Sequence, residues 1–219
     1  MKKAVVLLSG GLDSAVTLYL AREKGFSCQC LIFDYGQRHR RETESARKVA
    51  ASCGCPFKVV RISFPWKGSA LLDNRKKLRS RIPVKSGIPS SYVPARNIVF
   101  LSFALSFAEA KGAEAIFIGA HTQDYSGYPD CRPGFFSAYR KVIALGTRSG
   151  VEGEGIKIFT PLISKGKAEI IKLGNKLKVP FKLTWSCYRG KEKPCGSCDS
   201  CHLRARGFRQ AGLNDPAIG

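Results

Sequence analysis

Acidic side chains are scarce in this chain. Among its 219 residues, 16 Asp and Glu stand against 37 Lys and Arg, a formal net charge of +21. Such a field favours polyanions, nucleotides or nucleic acid, without choosing between them. Long apolar runs are missing as well. The longest, residues 98–108, is broken by serines and falls short of the ~20 residues a membrane span needs. No signal peptide is read either, because Met1-Lys2-Lys3 leads directly into an apolar strand. The expectation is a cytoplasmic protein with no membrane contact. There is no internal repeat, no low-complexity tract, and no Cys/His pair at a spacing recognisable for covalent catalysis. Nine cysteines without a secretion signal then point to thiols and metal in a reducing compartment, not to disulfides. The length suits one α/β domain with a sizeable core and room for an appendage.

The chain is organised around Ser9-Gly10-Gly11-Leu12-Asp13-Ser14. It follows the apolar run Ala4-Val5-Val6-Leu7-Leu8 and opens a helical segment over residues 15–24. A strand, a small-residue turn and a helix N-terminus make an anion site, because the first-turn N–H groups and the helix dipole both face the turn. Glycines at 10 and 11 let the backbone approach a phosphate closely. The spacing is not that of a Walker A loop, and no Lys-Ser/Thr closes it. It resembles the pyrophosphate loop of ATP pyrophosphatases; a plain capped turn is the alternative.

Further strands are expected at 28–33, 57–62, 115–119 and 157–160. Each is a short apolar run that fits a parallel sheet buried on both faces. Helices are expected at 42–53, where Ala46, Val49, Ala50 and Cys53 form a stripe, and from about 96 to 111. Two more are expected at 135–145 and 165–177. The 96–111 helix is apolar nearly all round and so should be buried. Cys53 and Cys55 read as buried small apolar residues. Residues 63–92 lack periodicity and carry Lys67, Arg75, Lys76, Lys77, Arg79, Arg81 and Lys85, a basic lid or a solvated excursion.

In doubly wound sheets ligands bind beyond the carboxyl ends of the strands. The loop Asp34-Tyr35-Gly36-Gln37-Arg38-His39 should therefore face the phosphate loop, with His39 either a surface residue or a catalytic one. Arg96 and Lys167 each sit in the first turn of a helix, where a lone cation is disfavoured, so each suggests an anionic partner. The loop from His121 to Arg132 is rich in hydrogen-bonding and aromatic groups. Its Asp124, Tyr125, Asp130 and Arg132 are candidates to hold a heterocycle bearing an acid group.

Cys187, Cys195, Cys198 and Cys201 follow the spacing C-x7-C-x2-C-x2-C. Two-residue gaps let neighbouring thiolates converge on one ion, and a fourth from upstream closes a tetrahedron. Zn2+ is the expected metal, structural because four cysteines leave no open position. Arg189, Lys191, Lys193, Arg204 and Arg206 would offset the thiolate charge. An iron–sulfur cluster is the rival, but there the run continues to Cys-Pro, whereas His202-Leu203 stands here.

Together these stretches resemble the 7-cyano-7-deazaguanine synthase family of the ATP pyrophosphatases. They are the Ser9–Ser14 loop, Phe33–His39, Val93-Pro94-Ala95-Arg96-Asn97, the string from Asp124 to Arg132, Thr160-Pro161-Leu162 with Lys167, and the four cysteines. His121-Thr122-Gln123 departs from the more apolar lead-in expected before that string. The resemblance implies a doubly wound five-stranded parallel sheet over residues 1–219, with 181–219 as a zinc-binding appendage, and commonly a homodimer. It implies ATP contacts along Leu8, Ser9, Gly10, Gly11, Leu12, Asp13, Ser14, Ala15, Val16, Thr17 and Leu18, with Mg2+ accompanying ATP.

The implied reaction is that of an ATP-dependent carbon–nitrogen ligase. 7-Carboxy-7-deazaguanine, ammonia and ATP give 7-cyano-7-deazaguanine (preQ0) for queuosine or archaeosine. A substrate oxygen attacks the α-phosphorus twice, first to form an acyl-adenylate that ammonia converts to the amide, then to activate the amide for dehydration. Asp13 would orient Mg2+, Arg96 and Lys167 would stabilise phosphate charge, and Asp124, Tyr125, Asp130 and Arg132 would hold the deazaguanine. One alternative is an enzyme acting directly on tRNA with the same phosphate loop, a sulfurtransferase or lysidine synthetase. It is favoured by the charge, with Cys131 as the reactive thiol. The other is a non-enzymatic nucleic-acid-binding zinc module.

Overall fold

Short apolar runs form five strands, β1 (Lys3–Leu7), β2 (Ser27–Asp34), β3 (Phe57–Arg61), β4 (Ala115–Phe117) and β5 (Lys157–Phe159). The computed structural model describes residues 1–38, 40–66, 68–73, 75, 88–122 and 127–217. All five strands pair in parallel in the order β3-β2-β1-β4-β5, the doubly wound arrangement expected. Between them lie α1 (Leu12–Glu23), α2 (Arg41–Ser52), α3 (Arg96–Lys111), α4 (Pro133–Gly146) and α5 (Arg148–Val151), and after β5 come α6 (Lys167–Lys176) and α7 (Asp199–Ala211).

Side chains alternate across a strand, so each strand feeds two cores. Val5, Leu7, Leu31, Phe33 and Ile116 face α3 and α4, where Leu101, Ala104, Phe136 and Ile143 meet them. Ala4, Val6, Cys30, Ile32 and Phe117 face Val16, Leu18, Val49, Ile170, Ile171 and Phe208. Cys53 and Cys55 are buried in this second core, as their apolar neighbours suggested.

Three expectations about helices change. Helix α1 begins at Leu12 rather than residue 15, so Asp13 and Ser14 lie in its first turn. Helix α3 is not buried all round: Ile98 and Phe103 are each 43% exposed. Only one side of α3 meets the sheet, and apolar content without a polar stripe does not say which side that is. Helix α7 was not anticipated, because the ligand spacing masked a helical face in which Leu203, Gly207 and Phe208 are buried.

Helix α7 binds the tail to the sheet. It packs on α6 so closely that a Cβ on Gly207 would lie 2.4 Å from Lys167 Cγ. Phe208 meets Phe181 edge to face at 5.3 Å. Arg204 is 5% exposed and donates to both Asp215 oxygens at 2.7 and 2.9 Å, to Thr184 Oγ1 at 2.8 Å and to the Phe181 carbonyl at 3.2 Å. A buried ion pair is tolerated when its remaining donors are satisfied in this way. Arg204 is therefore not a counter-charge for the cysteines, as the sequence had suggested, because Asp215 takes its guanidinium.

Of the basic lid, Lys67, Lys76, Lys77, Arg79, Arg81 and Lys85 lie outside the described residues, as does His39. Arg75 pairs with Asp73 at 3.1 Å. Among the described residues, no helix is long and apolar enough to cross a membrane.

Candidate active site

The strand order reverses between β1 and β4, and ligands collect beyond the strand ends at such a point. A cavity of about 290 Å³ opens there. The phosphate loop forms one wall, with Phe33 at the end of β2 and Tyr35 just after it beside the loop. Arg96, Asn97 and Phe100 of α3 form another, and Ala120 and His121 after β4 a third. Lys167 closes one side, and Trp185, Ser186 and Tyr188 of the tail close the last.

The phosphate loop is held by its own hydroxyls. Ser9 N–H donates to Ser14 Oγ at 3.2 Å, Gly11 N–H to Ser9 Oγ at 3.3 Å, and Ser14 Oγ to the Gly11 carbonyl at 3.0 Å. Gly11 precedes α1 without a side-chain cap, which leaves the first-turn N–H groups for an anion. Gly10 has φ +84°, and a Cβ there would lie 2.2 Å from the Glu42 carbonyl, so only glycine fits. The Gly10 carbonyl accepts from Trp185 N–H at 2.9 Å, which ties the loop to the tail.

Of the stretch expected to touch ATP, Leu8, Ser9, Gly11, Leu12, Asp13 and Ser14 line the cavity. Gly10 turns against α2 instead. Ala15, Val16, Thr17 and Leu18 are fully buried inside α1 and do not line the cavity, because the helix carries them into the core.

Asp13 and Lys167 meet. Lys167 Nζ lies 2.8 Å from each Asp13 carboxylate oxygen and 3.2 Å from His121 Nε2, and that nitrogen is 3.4 Å from Asp13 Oδ2. Burial opposes ionisation of Asp13, but Lys167 and His121 outweigh it and hold the carboxyl well below the usual carboxylate range. His121 is 9% exposed and its Nδ1 is buried without a hydrogen-bond partner. The altered lead-in before Asp124 thus places a histidine at the centre of the site.

Arg96 begins α3, preceded by Ala95 in the left-handed region at φ +53°, a strained conformation for a residue with a Cβ. Its guanidinium donates to Tyr35 Oη at 3.3 Å and lies 5.8 and 5.9 Å from the ring centres of Tyr35 and Phe100. Glu42, in the first turn of α2, also lines the cavity. Burial pushes its carboxyl up to about 7, against the opposing field of Arg96. Sequence reading missed Glu42, which looks like an ordinary dipole-complementing residue at a helix start. It also missed Trp185 and Tyr188, which carry no motif.

The expected specificity string divides. Asp124 and Tyr125 lie outside the described residues. Asp130 is buried and accepts from Asn97 N–H at 3.0 Å, so it caps α3 instead of lining the cavity. Arg132 is exposed, at the entry to α4. Tyr128 lines the cavity and exchanges a hydrogen bond with Ser91 Oγ at 2.7 Å. Burial pushes the Cys131 thiol up to about 11, away from the thiolate a sulfur carrier needs.

The sulfurs of Cys187, Cys195, Cys198 and Cys201 all lie within 4.8 Å of one another. Arg189 and Cys195 N–H groups each donate to Cys187 Sγ at 3.4 Å, which favours the thiolate. Cys198 is the cap residue of α7, so the cluster stands at a positive helix end. The donor set fits a structural metal. His202 is exposed and takes no part in the cluster.

Replacing Lys167 should leave the partly buried Asp13 carboxylate with His121 alone beside it. Lys167→Met is expected to lower the unfolding free energy by about 3 kcal/mol at pH 7. The sign with pH follows from the depressed Asp13 carboxyl, whose contribution is complete above about pH 4 and falls away below it. In the variant the carboxyl rises and its penalty vanishes on protonation, so the difference should narrow from pH 7 toward pH 4. Urea unfolding at both values measures it, and an equal loss at each would assign the effect to packing.

The family model described as queuosine biosynthesis protein QueC matches residues 3–212. A 7-cyano-7-deazaguanine synthase of Trichodesmium erythraeum is 52% identical over 222 residues, covering 99% of this chain and 100% of that one. One of Methylococcus capsulatus is 53% identical over 222 residues, covering 99% and 98%. Among solved structures, a predicted subunit of tRNA methyltransferase from Methanocaldococcus jannaschii superposes with a TM-score of 0.52 at 15% identity, covering 100% of this chain and 92% of that one, a likeness of fold alone. With matches that run almost end to end, the chain belongs to the family of the queuosine biosynthesis protein QueC.

Proposed function

We propose that the chain converts 7-carboxy-7-deazaguanine and ammonia into 7-cyano-7-deazaguanine at the expense of ATP. The observation that carries this is one cavity that unites an uncapped phosphate loop, the Asp13–Lys167 pair and an aromatic wall of Tyr35, Phe100 and Tyr128. A carboxylate is a poor electrophile, so its oxygen attacks the α-phosphorus of ATP and pyrophosphate leaves into the Ser9–Ser14 loop. Ammonia displaces AMP and loses a proton to give the amide. The amide oxygen attacks a second ATP and releases a second pyrophosphate, and loss of AMP and of both N–H protons leaves the nitrile. Both activations are the same displacement, so one site serves both.

In this reading the first-turn N–H groups of α1 hold the departing pyrophosphate. Lys167 and Arg96 stabilise charge at the phosphates, and Tyr35 and Phe100 keep Arg96 at the cavity edge. Asp124, Tyr125 and Arg132 remain candidates for the deazaguanine. Magnesium, when bound with ATP, offsets triphosphate charge. The metal held by Cys187, Cys195, Cys198 and Cys201 is zinc, and it stabilises the fold of the tail.

Incubation with 7-carboxy-7-deazaguanine, ammonium and ATP should yield the nitrile by mass spectrometry, with AMP and pyrophosphate formed twice per turnover. Absence of both nitrile and nucleotide turnover would sink the assignment. Metal analysis should return about one zinc per chain. Its removal by a chelator should lower the melting temperature, whereas iron with sulfide would overturn the zinc reading. We also propose that the chain pairs with a second copy through the exposed apolar side chains Phe103, Val142 and Leu145 of α3 and α4. Sedimentation should give a dimer that Leu145→Lys splits, and a monomeric parent chain refutes it.

A further inference from the structure

Among the described residues two carboxylates line the cavity, Asp13 and Glu42. They are in opposite states. Both oxygens of Asp13 contact Lys167 Nζ at 2.8 Å, and His121 stands beside them. A divalent cation drawn to Asp13 would have to sit next to an ammonium group, a costly arrangement in a partly buried site. Glu42 has no hydrogen-bond or ion-pair partner for its carboxylate among the described residues. The groups whose fields reach it are Arg96, of opposite sign, and Cys187. Its backbone carbonyl is the atom that a Cβ on Gly10 would strike, so the first turn of α2 lies against the phosphate loop.

A carboxylate beside a phosphate loop, in a protein with few acids, repels the triphosphate unless a cation lies between them. Hard cations that travel with nucleotides are bound in this way, by phosphate oxygens and one or two carboxylates. Dipole complementation alone does not require the cavity position, because Glu44 supplies the same charge to the same turn from an exposed place. We propose that Glu42, and not Asp13, is the protein carboxylate that the magnesium ion of MgATP uses, directly or through a bound water. Asp13 then remains the partner that positions Lys167. The inference rests on the ATP-using reading above, but its test needs no turnover.

Binding of α,β-methylene-ATP is measured by titration calorimetry, once in EDTA and once in excess Mg2+. The parent chain should gain about tenfold or more in affinity from Mg2+. Glu42→Gln should keep less than about threefold of that gain. It should also bind the metal-free analogue as tightly as the parent or more tightly, because a repulsive charge is gone. Asp13→Asn should keep the gain even if both affinities fall. A gain that survives Glu42→Gln, or an equal loss in both conditions, overturns the assignment and leaves the proposed reaction standing. A parent chain that binds the analogue in neither condition takes both down. If Glu42→Gln does not fold, Glu42→Asp decides: a reduced gain supports the proposal and an unchanged one overturns it.

Discussion

The ion pair between Lys167 and Asp13 spans 154 residues of chain, and the site depends on it. It joins the first turn of α1 to the first turn of α6, two helix ends where a cation alone would be disfavoured. Each partner makes the other's position tolerable. Asp13 neutralises an ammonium group at a positive helix end, and Lys167 with His121 keeps a partly buried carboxylate ionised. The close seat of Gly207 against Lys167 Cγ presses the lysine side chain from behind. The sheet order that puts β1 beside β4 brings His121 into the same cluster.

The tail is part of the same arrangement. Trp185 donates its backbone N–H to the Gly10 carbonyl and its indole N–H to the Cys187 carbonyl at 2.7 Å. The phosphate loop and the cysteine cluster are therefore two hydrogen bonds apart. Through the Cys187 carbonyl, the cluster thus fixes Trp185, which forms part of one wall of the cavity. Arg204 and Asp215 fix α7 from the far side. The appendage suggested by the cysteine spacing is thus continuous with the α1–α6 side of the core, through Phe181 and Phe208.

Much of the fold was legible because it is local. Five apolar runs, each with a turn residue after it, give five parallel strands, and the bounds of β2 and β3 shift by one residue or so. The phosphate loop was legible because glycines, hydroxyls and a helix start are adjacent in sequence. Asp130 was not, because a carboxylate in a polar loop reads alike whether it meets a ligand or caps a helix; only the approach of Asn97 N–H decides. Glu42 was hidden because a glutamate in a first helical turn complements the dipole whichever way it faces.

The parallel sheet, the glycine-rich turn before α1 and the four-cysteine cluster each follow from residue types at fixed short spacing. Tertiary structure decided which charge faces which. Lys167 meets Asp13, Arg204 meets Asp215, and Arg96 lies over Tyr35, because these pairings depend on which strand ends are neighbours and which helices cover them. Electrostatic partners are chosen by distance in space, and that distance is not written in spacing along the chain.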